Sequence, residues 1–252
     1  MEKKILATPE FRVVIGNYEI SDGLQVECFS SKDSKYDWGT VKLSPELEEL
    51  IHVEDMDDAR IELGYGEDYD ELLSGYIKKC DLGFLIRDDM VKLEKIRIRA
   101  TFLDASPQDI IRYVLTQADI FDYELADYDY GKKAVVSIEQ KNGLETIAEV
   151  NAVWGISQPY FFKNKRFYWG TRSEQSSMYV LEEGSTILSL KKYGTLWEAE
   201  TIAIPWIHHS QMIEVRHSRF YEVVEVEKTV IKTGRGGAVH MYISFKGGKQ
   251  DV

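Results

Sequence analysis

Apolar and polar residues alternate with a period of two along most of this chain, and that rhythm constrains its fold more than any other feature. Leu24-Gln25-Val26-Glu27-Cys28 alternates cleanly, as does Ala59-Arg60-Ile61-Glu62-Leu63-Gly64-Tyr65. The run from Lys92 to Ala100 alternates longest and gives the strongest strand signal. Such a rhythm places one face of a strand in a core and the other in water. Turn residues punctuate the runs: Gly16-Asn17, Asp22-Gly23, and a glycine-rich loop at Gly234-Arg235-Gly236-Gly237. Further strands are expected at Phe11–Ile15, Thr40–Leu43, Leu72–Ile77, Thr186–Leu190, Trp197–Ile204, Met212–Val215, Phe220–Val230 and Ala238–Phe245. Residues 171–185 read as a polar loop.

The rhythm changes between 104 and 155. Ser106-Pro107-Gln108-Asp109 is a helix opening, with serine at the N-cap and proline at the first helical position. Ile110, Ile111, Val114, Leu115 and Ala118 follow at helical spacing. Ala134–Ile138 is a short strand, Asn142-Gly143 stops it, and a second helix runs from Leu144 to about Trp154. Pro159–Phe162 and Arg166–Gly170 flank Lys163-Asn164-Lys165 as a hairpin. Ser44-Pro45-Glu46 opens a shorter helix or an irregular crossover. The expected class is mainly β with an α+β insert: two β-barrel-like domains, 1–103 and 186–252, joined by a helix-containing region at 104–185.

The 252 residues carry a net charge of −12. That excess disfavours a stable grip on nucleic acid, which needs clustered Lys and Arg, and docking on anionic lipid. No stretch approaches the ~20 apolar residues of a membrane span. The amino terminus lacks an apolar run long enough for a signal peptide, so exit from a cell would be by a route such as lysis. Cys28 and Cys80 are expected to be reduced, buried thiols.

No catalytic motif is present, and neither metal nor cofactor is expected. His208 and His209 are adjacent; on a strand they would point to opposite faces and could not easily share a metal, and they read as surface or loop histidines. The carboxylates of Glu54, Asp55, Asp57 and Asp58, those of Glu67, Asp68, Asp70 and Glu71, and those of Asp122, Asp127 and Asp129 lack calcium-loop spacing and read as solvated acidic loops. Tyr160, Phe162, Phe167 and Trp169, with Phe161 and Tyr168, make the hairpin strongly aromatic. They are candidate contact residues, filling a domain core or a subunit seam, or stacking on a sugar or peptide.

The order of elements resembles the hub proteins of phage tails, the group of late control protein D-like hubs and the amino-terminal part of tail-associated lysins. The likeness rests on Ala59–Tyr65 followed by Leu73-Ser74-Gly75-Tyr76-Ile77, on Ser106–Leu115, on Val153-Trp154-Gly155 with the Tyr160–Gly170 hairpin, and on Ile204-Pro205-Trp206 through Val223-Val224-Glu225-Val226-Glu227. The resemblance implies a non-catalytic structural protein of the virion tail, assembled in the host cytoplasm. It implies a homotrimeric ring of pseudo-sixfold symmetry joining the tail tube or a distal tail protein to a spike or fibre, with the tape measure protein as a further partner. It also implies that any lytic enzyme is a separate polypeptide, because the chain ends just after the second barrel. Acidic loops facing a lumen would repel passing DNA. A carbohydrate- or peptide-binding β module and a carboxylate-based hydrolase are the alternatives.

Overall fold

The computed structural model describes residues 8–80, 83–234 and 237–247. The chain divides into two compact units. Residues up to Arg87 and those from Ser173 onward make the first, and Asp88–Arg172 makes the second.

The chain begins with β1 (Pro9–Ile15), β2 (Tyr18–Ile20), β3 (Leu24–Ser31), β4 (Trp38–Leu43), α1 (Pro45–Leu50), β5 (Asp58–Tyr65), β6 (Asp68–Lys79) and β7 (Phe84–Arg87). The second unit holds α2 (Met90–Lys95), β8 (Ile98–Ala105), α3 (Pro107–Gln117), β9 (Tyr123–Leu125), β10 (Lys133–Lys141), α4 (Gly143–Trp154), β11 (Tyr160–Lys163) and β12 (Arg166–Trp169). The chain then returns to the first unit as β13 (Tyr179–Glu182), β14 (Ile187–Tyr193), β15 (Leu196–Thr201), β16 (Met212–His217), β17 (Phe220–Thr233) and β18 (Val239–Lys246). The expected class, mainly β with small helical parts, is what the chain adopts.

The first unit is one hydrogen-bonded network of 13 strands, in the order β14-β15-β18-β17-β3-β4-β7-β6-β5-β1-β2, with β16 on β17 and β13 on β16. The path is open at β14 and β2, so no barrel closes by backbone pairing among the described residues. The amino- and carboxy-terminal strands are also not two separate sheets. They meet where β17 pairs with β3, Lys228–Lys232 against Glu27–Ser31. β17 makes this possible by its length. Its first half pairs with β16, from Phe220 to Glu225. A bulge between Val226 and Lys228 interrupts its register with β18, and bulges bend and twist a strand. Its second half then runs on between β3 and β18. Phe11, Val13, Ile61, Leu63 and Ile86 from the first half share one core cluster with Val215, Val226, Met241, Ile243 and Phe245 from the second. Burial of such a side chain is worth about 1.5–3 kcal/mol, so this shared core ties the halves together.

The compact units therefore divide the chain at Arg87 and Ser173, where sequence patterning suggested 103 and 185. The earlier boundary has a local cause. The strand expected across Lys92–Ala100 is a helix followed by a strand, α2 and then β8. Asp88 Oδ1 accepts the Met90 N–H at 3.1 Å, and Lys92 pairs with Asp89 at 2.7 Å, three residues apart. Met90, Val91 and Leu93 turn inward. This helix belongs to the second unit, where α4 abuts it. A Cβ on Gly143 would sit 2.9 Å from the Leu93 carbonyl oxygen, so only glycine permits the approach. The later boundary also has a cause. β13, in the expected polar loop at 171–185, pairs in parallel with β16 from Tyr179–Ile213 to Glu182–Arg216.

In the second unit β8 and β10 form an antiparallel ribbon, and β11-β12-β9 a three-stranded sheet. Both long helices start as the sequence suggests. Ser106 with Asp109 and Asn142 with Glu145 make reciprocal capping boxes. Gly155, at φ 64°, closes α4 in the left-handed region. Asn164 and Lys165 both have positive φ, 49° and 63°, as a tight two-residue hairpin turn requires. The Gly234–Gly237 loop lies partly outside the described residues, as does the amino-terminal segment. No helix among the described residues is long and apolar enough to cross a membrane.

Candidate functional site

The aromatic hairpin is a packing device. Register pairs Tyr160 with Trp169 and Phe162 with Phe167, and period two puts all four on one face of the hairpin. That face is turned into the second unit. Phe167 and Trp169 are fully buried, Phe162 nearly so, and Tyr160 is half-buried. Trp169 Nε1 donates to Asn151 Oδ1 on α4 at 3.1 Å. Phe162 and Phe167 pack edge to face at 5.3 Å, and Tyr130 meets Trp169 the same way at 5.5 Å. Three of the four candidate contact residues thus have their surface consumed inside the unit, and a stacking platform for sugar is not displayed there.

The acidic clusters are largely engaged in local architecture. Asp57 accepts the Glu54 N–H at 2.7 Å, and Asp55 accepts the Lys79 N–H at 2.7 Å. Asp129 accepts the Gly131 N–H at 2.9 Å, and Asp122 and Glu124 face Arg166. Asp68, Asp70 and Glu71 lie on β6, not in a loop. The two cysteines separate. Cys28 is buried, as expected, and burial drives its thiol well above the ordinary range. Cys80 is free and exposed.

The surfaces left for partners are backbone edges and a few apolar patches. β14 and β2 end the pairing path of the first unit. The two-stranded ribbon of the second unit carries Leu103 and Val135 directly opposite each other on its outer side, 72% and 61% exposed. Phe121, just past α3, is 72% exposed. Edges that have no partner strand among the described residues, together with exposed apolar side chains, are surfaces that a neighbour can cover.

One polar cluster was not foreseen in the sequence. His208 and His209 lie in the loop between β15 and β16, not on a strand, so period two does not separate their rings. The ring centroids lie 4.1 Å apart, with the planes tilted by 40°. Both present Nε2 to Asp37, on the β3–β4 connection, at 2.8 Å from His208 and 3.8 Å from His209. Asp37 and His209 are buried and His208 is partly so. The signal that could have exposed this is weak: two adjacent histidines between Pro205 and Gly-free turn residues, with a partner 171 positions away.

The whole arrangement has solved counterparts. The 43 kDa tail protein of prophage MuSo2 from Shewanella oneidensis superposes with a TM-score of 0.72 over 94% of this chain and 98% of its own, at 10% identity. A tail protein from Neisseria meningitidis gives 0.71 over 96% and 97%, at 9% identity. The chain has the fold of phage tail proteins. A component of the E. coli type VI secretion system, itself structurally similar to the T4 bacteriophage tail proteins gp27 and gp5, shares that tail-protein fold with a TM-score of 0.68 over 94% of this chain and 77% of its own, at 12% identity. No family model matches the sequence, and no curated protein matches it either. The fold is therefore shared at only 9% to 12% identity.

Proposed function

We propose that this chain is a non-catalytic structural hub of a phage tail or related injection device. Copies form a homotrimeric ring that joins the tail tube, or a distal tail protein, to the central spike or fibre. The observation that carries the reading is the shared fold along nearly the full length with two phage tail proteins and a secretion-system component. The chemistry of the surface agrees with it: candidate partner surfaces are sheet edges and apolar patches, while the aromatic cluster and the acidic groups serve the chain's own packing and turns.

In this reading the strands before and after the second unit are the two ring-tiling positions of each chain. Three chains then offer six positions to a sixfold tube and threefold symmetry to a spike. The β14 and β2 edges would be covered by neighbours, which removes their unpaired backbone groups from water.

The test is assembly. The chain is co-expressed with the tube and spike proteins of its tail, particles are purified, and an epitope-tagged copy is located by immunogold labelling and by mass measurement of the released ring. Label at the tail tip with a trimeric mass is expected. Particles that form complete tails without the chain, or that carry it as isolated monomers along the tube, overturn the reading.

A further inference from the structure

We propose that Asp37, His208 and His209 form a site for a divalent transition metal of the zinc class, which staples the β3–β4 connection to the β15–β16 loop. The three ligand atoms lie within 4.8 Å of one another. A tetrahedral ion holding nitrogen and oxygen ligands at about 2.0–2.2 Å separates them by about 3.3 Å. The observed separations from Asp37 Oδ2, 2.8 and 3.8 Å, bracket that value. Side-chain movements of about half an ångström would equalise them.

The ring orientation points the same way. His208 Nδ1 lies 3.1 Å from the His209 carbonyl oxygen, which leaves Nε2 as the ring atom turned to Asp37 Oδ2 at 2.8 Å.

The surrounding hydrogen bonds are those of an outer shell that orients ligands. Asp37 Oδ1 accepts the Ser31 N–H at 3.1 Å, which fixes the carboxylate with Oδ2 toward the rings. His209 Nδ1 pairs with Ser210 Oγ at 2.8 Å. The His208 N–H donates to Gln211 Oε1 at 2.9 Å, and Ser210 N–H donates to the Val226 carbonyl at 2.8 Å. Each ligand is thus held by an atom other than the one it offers. His208 is the least buried of the three, so the fourth position opens on its side, where water completes the shell. Soft thiolates are absent from the set, and one carboxylate with two imidazoles suits zinc, cobalt or nickel better than calcium or magnesium.

The site spans the two halves of the first unit, so an ion there acts as a cross-link in the folded state. The competing arrangement is an imidazolium–carboxylate pair that binds no metal. Untagged protein is stripped with chelator, and Zn²⁺ binding is followed by calorimetry, with Co²⁺ as the spectroscopic surrogate. The expected result is one ion per chain, visible Co²⁺ bands of four-coordinate intensity, and a melting temperature raised by Zn²⁺ but not by Mg²⁺. His208→Gln, the mildest change at the most exposed ligand, should weaken Zn²⁺ binding at least tenfold while circular dichroism stays unchanged. Asp37→Asn should do the same. Binding well below one ion per chain, or binding equally tight in folded His208→Gln, overturns the proposal in favour of the ion pair.

Discussion

Truncating Ile231 to alanine tests whether the two halves of the first unit stand or fall together. Ile231 sits on β17, opposite Cys28 of β3 on one side and Met241 of β18 on the other, and is 3% exposed. The substitution removes three carbons. At about 0.8 kcal/mol per buried methylene the transfer loss is about 2.4 kcal/mol. The cavity adds to it, within the ~2–5 kcal/mol seen for isoleucine truncations. A working value of about 3 kcal/mol corresponds to a roughly 100-fold change in the opening equilibrium. Hydrogen exchange read by mass spectrometry reports that change peptide by peptide. Because one core cluster spans both halves, amides in β1, β5 and β6 should lose as much protection as those in β15 and β18. If the exchange of β1, β5 and β6 is unchanged while β15 and β18 loosen, the halves are independent barrels and the single-network reading fails.

Three further outcomes follow from the geometry. Ser106→Ala removes the side-chain half of the α3 capping box and should cost about 1 kcal/mol, measured as a shift in the urea midpoint. Gly143→Ala drives a Cβ against the Leu93 carbonyl and should cost about 1–3 kcal/mol by overpacking; a stabilised variant would mean that α2 yields freely. The Ser106 hydroxyl and backbone N–H hold the Asp109 carboxyl below the usual carboxylate range. A depressed folded value contributes stability that is present above the unfolded value of about 3.9 and is lost as pH falls through the folded one. The melting-temperature gap between wild type and Asp109→Asn should therefore shrink on acidification below about pH 4, and a gap that grows refutes the cap.

Much of the fold was legible because it rests on local chemistry. Ser106-Pro107, Asn142-Gly143 and Lys163-Asn164-Lys165 each carry their own hydrogen-bonding or φ requirement, and each starts or turns an element where the sequence suggests. The Lys92–Ala100 strand does not form as expected because the apolar spacing of Leu93, Ile96, Ile98 and Ala100 suits a short helix joined to a strand as well as one strand. The deciding groups, Asp88 and Asp89, lie before the run. The junction of β17 with β3 was illegible for a different reason. Period two assigns a face to each strand and says nothing about which strand lies beside it. The aromatic residues at 160–169 were legible as a cluster, but whether their face turned inward depended on α4. The histidine pair does lie in a loop, as one reading of the sequence had it, but its burial against Asp37 depends on a contact 171 positions away that no local pattern reveals.

β3 and its partner on β17 are separated by about 200 residues, from Cys28 to Ile231, and the whole second unit is made between them. At ~5–20 residues per second of synthesis, the ribosome needs roughly 10–40 s to deliver the second strand after the first. Through that interval the outer side of β3 has no mate from its own chain. Nascent copies emerging close together on one message would present the same bare edge to each other. The order of synthesis thus makes this edge the place where strand exchange between copies, or rescue by a chaperone, would begin.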